Sequence, residues 1–157
     1  MKILAIETSC DETGMALIES DAKGKINVLA NLVSSQIETH RPFGGVVPHL
    51  AKHEHEKNLP ILFKKLQVSR YKLQDLDLIA VTNGPGLAPC LWAGVNFAQK
   101  IAQELNKPLV GINHLKGHIY INILEKKLTF PVLSLIVSGG HTQLVFSKKL
   151  GHYQIIG

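Results

Sequence analysis

The sequence predicts an α/β protein with a partly parallel sheet covered by helices. Three features point to it. Short apolar segments joined by tight polar turns fill residues 2–34, a strand, helix, strand run occupies 78–113, and a second set of short strands at 132–157 repeats the order of the first.

KILAIE at 2–7 and GMALIES at 14–20 flank the polar turn SCDET and read as a hairpin. A second turn, DAKGK, leads into INVLANLV and completes a three-strand meander. From Val47 to Leu66 the spacing becomes helical, with Leu50, His53, Leu59, Leu62, Phe63 and Leu66 available for one face. Pro60 is expected to end or kink this helix, because it lacks a backbone donor and clashes with the preceding turn. LIAVTN at 78–83 reads as a buried strand, GPG breaks the chain, and Leu87 to Leu105 reads as a long helix before the strand PLVGIN. Strand, helix, strand with short connections implies a parallel crossover. A helix is expected from His114 to Lys127, followed by VLSLIVS, a GGHT turn, QLVFS, a KKLGH turn and YQIIG as a second meander.

The repeat suggests a duplicated unit, each copy running from a meander into crossover helices. The first copy does so, whereas the second stops at Gly157. We therefore expect one complete lobe over 1–110, and over 111–157 a helix followed by the first strands of a second lobe whose remainder is absent from this chain. An uncovered sheet face and an unpaired edge are expected at that end.

Composition narrows the function classes. At 45% hydrophobic and 18% charged residues, the chain is an ordinary soluble globular protein rather than a disordered one. Its net charge of +5 favours a polyanionic partner without requiring one. Cys10 and Cys90 have no metal or redox spacing and are too few for a disulfide framework, so both are expected to be reduced. The first residues do not resemble a signal sequence, and no apolar run approaches the ~20 residues that span a bilayer. No membrane is implied, and the cytoplasm is the expected compartment.

His114 and His118 in HLKGH are four apart on an expected helix, which places two imidazoles on one face with Cβ atoms ~5–6 Å apart, suited to one divalent ion. His49 and His53 have the same spacing, but they lie within a long helix among Lys52, Glu54 and Glu56 and read as a solvated face. His114 instead follows directly on a parallel strand, where ligands of open α/β sheets collect. A zinc-protease motif needs a general-base Glu after its first His, and here that residue is Leu115. The VSGGHT turn reads as a hairpin turn or an anion cradle. Asp11 and Glu12 stand at the equivalent turn of the first repeat, either as turn formers or as cleft carboxylates, with Asp11 placed to hold an ion or take a proton. NGPGL at 83–87 opens a helix, a second possible anion site that packing explains equally well. The doublets Lys64/Lys65, Lys126/Lys127 and Lys148/Lys149 read as solvated surface or phosphate contacts.

Five ordered motifs, ETSCDETG at 7–14, FGGVVP at 43–48, GPGL at 84–87, HLKGH at 114–118 and VSGGHTQL at 137–144, resemble the TsaD family of tRNA threonylcarbamoyladenosine transferases, once described as sialoglycoprotein endopeptidases. The resemblance implies the actin-like ATPase and sugar-kinase (ribonuclease H-like) fold. It also implies transfer of a threonylcarbamoyl group from threonylcarbamoyl-AMP to N6 of the adenosine 3′ of the anticodon in tRNAs reading ANN codons. By the same likeness His114 and His118 would hold Fe2+ or another divalent ion such as Zn2+, and Ile136, Val137, Ser138, Gly139 and Gly140 would line the adenylate site. Asp11 would be the catalytic or substrate-orienting carboxylate. The implied partners are tRNA and proteins like TsaB and TsaE. The family's third metal ligand, an aspartate, falls beyond Gly157, so this chain is expected to bind metal weakly and not to turn over. Lys116 stands where relatives often carry Glu, and Pro89 and Cys90 replace small or apolar residues. Two rivals share the fold: a non-catalytic scaffold like TsaB, which lacks the histidine pair, and a small-molecule kinase. A protein-only interaction module, seeking a partner for the unfinished sheet, is a third.

Overall fold

The computed structural model describes residues 1–68, 71–125, 129–137 and 142–157, with backbone alone at 122–125. The chain forms two compact units, Met1–His114 and Leu115–Gly157.

In the first unit, β1 (Lys2–Glu7), β2 (Glu12–Ser20) and β3 (Ile26–Ser35) form the expected antiparallel meander. A short helix α1 (Ile37–His40), a 3-10 turn at Arg41–Phe43 and the long helix α2 (Pro48–Gln67) follow. Strand β4 (Leu78–Gly84) pairs parallel to β1, helix α3 (Ala88–Leu105) crosses over, and β5 (Leu109–Asn113) pairs parallel to β4. The five-stranded sheet therefore has the order β3-β2-β1-β4-β5. With β1 at its centre, the residues just after β1 emerge at the carboxyl ends of the parallel strands, where α/β proteins bind ligands.

Alternation along the strands divides the sheet into two faces. Leu4 and Ile6 of β1, Met15 and Leu17 of β2, and Ile79 and Val81 of β4 form one buried cluster with Leu59, Leu62, Phe63 and Leu66 of α2 and with Ala98 and Ile101 of α3. Phe63 and Phe97 meet edge to face at 5.8 Å between ring centroids, the geometry that aromatic quadrupoles favour. On the opposite face Glu7, Gly14, Ala16, Asn31 and Thr82 line a depression of about 290 Å³.

Helix α2 differs from expectation in two ways. It runs through Pro60 to Gln67 rather than ending there. Pro60 is exposed, so its ring points away from the sheet and only one helical hydrogen bond is lost. Burial of Leu59, Leu62, Phe63 and Leu66 on either side of it holds the helix together. The buried face also begins differently: Ala51 and His55 are fully covered, Leu50 is half-buried and His53 is exposed.

The second unit contains most of α4 (His114–Glu125) and the antiparallel strands β6 (Val132–Val137), β7 (Thr142–Lys149) and β8 (His152–Ile155). Ile119, Ile136 and Val145 make its small core, with Leu115 and Tyr120 packed against them. The Gly151 N–H donates to the Tyr120 hydroxyl at 3.0 Å. Leu133, Leu135 and Val137 alternate to the other face of β6 and are exposed. Among the described residues no helix is long and apolar enough to cross a membrane.

Leu59→Ala is expected to cost about 2–5 kcal/mol of stability in urea unfolding. Ile61→Ala, two positions on but 47% exposed, is expected to stay within roughly 0.5 kcal/mol of the parent.

Candidate functional site

The turn from Thr8 to Asp11 is fixed by three neighbouring segments. The buried Thr8 hydroxyl donates to the Cys90 carbonyl at the start of α3, at 2.9 Å. Gly94, one turn further along α3, has no side chain to offer because a Cβ there would run into Thr8. The Ser9 carbonyl accepts the Leu87 N–H at 2.8 Å, and a Cβ on Gly86 would stand 2.6 Å from that carbonyl oxygen. Glycine in GPGL thus permits close backbone approach. The Leu87 amide of this proposed anion site is committed to Ser9. Further along, the Cys10 carbonyl accepts from His55 Nε2 at 3.0 Å and the Asp11 carbonyl accepts the Gln36 N–H at 3.0 Å.

At the foot of this turn Glu7 anchors a second group. Its Oε1 accepts the Ser9 N–H at 2.6 Å, and its Oε2 accepts the Thr82 hydroxyl. His114 Nδ1 lies 3.3 Å from the same Oε2 and 3.1 Å from Ser9 Oγ. Burial alone would raise the Glu7 pKa; the hydrogen bonds from His114, Ser9 and Thr82 outweigh it and hold the carboxyl at about 2, against an ordinary 4.5. An ionised carboxylate only accepts, so Nδ1 carries the proton. A neutral His114 ring therefore has its lone pair on Nε2, the form in which an imidazole oriented by a carboxylate binds metal. The grouping also excludes a nucleophilic triad: there Ser and acid engage opposite ring nitrogens, whereas here Ser9 and Glu7 share Nδ1.

Helix α4 begins at His114, so His114 and His118 lie in one helix at the expected spacing, and His118 is exposed. Among the described residues no three His, Cys, Asp or Glu side chains gather as a metal cage. Lys116 reaches toward the Tyr153 ring, its Nζ 4.9 Å from the centroid. His49 and His53 are exposed on α2, as a solvated face requires. Asp11 is half-buried in the clamped turn. Ile136 packs inward, so it could offer a ligand only main-chain atoms, and Val137 faces out. Ser138, Gly139 and Gly140 of the diglycine turn lie outside the described residues, as do Lys126 and Lys127. Both cysteines are free, and burial pushes the Cys90 thiol up to about 11, leaving it unreactive.

Sequence reasoning missed Glu7, Thr82, His55, Gln36 and His40. Glu7 alone carried a signal, a carboxylate directly after the apolar run Ile3–Ile6.

An α/β unit with a meander and two parallel connections around a central β1 has the actin-like, ribonuclease H-like fold. Solved structures agree: YeaZ from Pseudomonas aeruginosa superposes with TM-score 0.59 at 18% identity, covering 99% of this chain and 64% of that one. The PPX-GPPA enzyme of Aquifex aeolicus gives 0.55 at 13%, covering 99% and 52%. The family profile for tRNA N6-adenosine threonylcarbamoyltransferase, TsaD, matches residues 27–157. The chain belongs to that family. Curated relatives of the same name are 47% identical over 156 residues in Bacillus thuringiensis and 48% over 159 residues in Dictyoglomus turgidum. This chain spans 44% and 46% of their lengths, somewhat under half.

Because the folded Glu7 pKa lies below the ordinary one, its contribution to stability is complete above about pH 4.5 and is lost as pH falls toward about 2. A carboxyl-carbon NMR titration should find Glu7 ionised at acidities that protonate exposed glutamates. Thr82→Val, which removes one donor, should move its midpoint upward; a midpoint near 4.5 in both proteins would contradict the hydrogen-bonded arrangement.

Proposed function

We propose that this chain carries the amino-terminal half of a tRNA N6-adenosine threonylcarbamoyltransferase site, with threonylcarbamoyl-AMP as donor and the adenosine beside the tRNA anticodon as acceptor. Family membership supports the reaction. The observation that carries the site is His114 held through Nδ1 by an ionised Glu7, beside a turn clamped so as to present Asp11. His114 and His118 are the residues that would hold a divalent ion, Fe2+ or Zn2+, with any further ligand supplied from outside this chain. Bound there, such an ion would supply Lewis acidity toward the carbamoyl carbonyl. The chain's own residues do the positioning. Glu7 and Ser9 fix the His114 ring, and the clamped turn sets Asp11 to orient the attacking amine and take its proton. Backbone amides of 136–140 are the proposed adenylate contacts, and AMP is the leaving group. Partners like TsaB and TsaE, and a cytoplasmic location, belong to this reading.

The fold match to YeaZ favours a second reading, a non-catalytic scaffold of the same architecture. The HLKGH pair and its Glu7 support favour the transferase.

In the full-length enzyme, His114→Ala and His118→Ala are each expected to lower tRNA modification by more than the roughly 10–100-fold that a supporting residue costs, with circular dichroism unchanged and bound metal reduced. His49→Ala serves as the neutral comparison. Unchanged activity and metal content in both variants would remove the metal role.

A further inference from the structure

Behind the clamped turn lies a set of buried polar side chains that the reaction described above does not use. His55 is fully buried in α2, with Gln36 and His40 beside it at 1% and 4% exposure. His40 Nδ1 lies 3.3 Å from the Val47 N–H, and its Nε2 lies 3.0 Å from Gln36 Oε1. Gln36 Nε2 lies 3.4 Å from the Ala51 carbonyl and 3.3 Å from His55 Nδ1. His55 Nδ1 also receives Thr13 Oγ1 at 2.8 Å, and His55 Nε2 meets the Cys10 carbonyl at 3.0 Å.

Ring protons and amide orientation are normally ambiguous, yet three backbone groups settle them here. A peptide N–H can only donate, so His40 Nδ1 accepts from Val47 and its proton sits on Nε2. That proton requires an oxygen at the facing end of Gln36. Independently, the Ala51 carbonyl can only accept, which places the Gln36 NH2 at the other end. The NH2 then requires His55 Nδ1 to be an acceptor, so the His55 proton is on Nε2. Independently again, the Cys10 carbonyl requires a donor at that nitrogen. All three constraints agree on one direction of donation.

We propose that His55 is a positioning residue for the Asp11 turn, acting at the end of a directional chain of donors, Val47 N–H to His40 to Gln36 to His55 to the Cys10 carbonyl, which couples the FGGVVP loop to that turn. The loop at 41–47 and the turn at 8–11 are thereby linked: rearranging the loop withdraws the Val47 donor, frees His40 to change tautomer, and loosens the Gln36 amide that meets both the Ala51 carbonyl and His55. Gln36 reinforces the link, since its own N–H holds the Asp11 carbonyl. Burial also pushes the His55 pKa below its ordinary value, in keeping with a neutral ring. The catalytic consequence, misplacement of Asp11, rests on the transferase reading; the coupling itself does not.

Long-range nitrogen–proton NMR of the whole chain, labelled at histidine, reads the tautomers directly. Both His40 and His55 should carry the ring proton on Nε2, and a proton on Nδ1 of either ring overturns the chain. A second measurement uses amide exchange of Leu87 and Gln36, whose protons go to the Ser9 and Asp11 carbonyls. His55→Gln can still reach Cys10 with an N–H and should leave these rates within about twofold of the parent, whereas His55→Asn, too short to do so, should raise them roughly tenfold or more. Equal rates in the two variants would reduce His55 to a filler of space. His40→Leu should shift the Cys10 carbonyl-carbon signal although the hydrogen bonds of His40 go to Gln36 and Val47 and not to the turn; an unshifted signal overturns the coupling. Should these results hold while full-length His55→Asn keeps its kcat, the positioning claim stands and the role given to Asp11 fails.

Discussion

The turn between β1 and β2 is the constraint on which the rest of the arrangement depends. It follows the central strand of the sheet, where the parallel neighbours also end, and nearly every backbone carbonyl within it is taken by a different part of the chain. Ser9 answers to the start of α3, Cys10 to α2, and Asp11 to the segment before α1. A loop held by side chains from several elements gives up the freedom that surface loops ordinarily keep, and such rigidity is what a reacting group requires. The side chains of Thr8, Gln36 and His55 that surround it are themselves buried, so each depends on its partner: an unmet buried donor or acceptor costs about 1–3 kcal/mol. Networks of this kind work only when complete.

The same turn explains the electrostatics. Glu7 ends β1 with its carboxylate tied to the Ser9 amide, so the residue that orients His114 is part of the framework that orients Asp11. Carboxylate and imidazole are therefore not independent features brought together by chance. Ser9 joins them through both its amide and its hydroxyl. A shared Nδ1 separates this grouping from a hydrolytic triad and fits the role of a ligand held ready for a metal.

Much of the architecture was legible from the letters. Among the described residues the apolar pattern marked the eight strands and the three long helices, and strand, helix, strand order dictated the parallel pairing of β1, β4 and β5. Pro60 misled because a rule about helix interiors carries no information about exposure: on the solvent side, the missing donor is outweighed by four buried neighbours. Candidate site residues were only partly visible. His114 and Asp11 announce themselves by type and spacing. Glu7 reads as the polar end of a strand, and its partner Thr82 lies 75 residues away, directly after the apolar run Leu78–Val81. His40, Gln36 and His55 escaped for a similar reason, since a buried imidazole and a solvated one look alike until the fold shows which face of α2 turns inward. His53, two residues from His55, lies outside, as its reading with His49 as a solvated face requires, and not on the apolar face that the helical spacing also offered it.

The central claim is that the Thr8–Asp11 turn is rigid before any substrate arrives. Backbone 15N relaxation of the free chain measures this most directly. The account predicts order parameters for Ser9, Cys10 and Asp11 close to the ~0.85 of strand β1, and values below about 0.6 at these residues would contradict it.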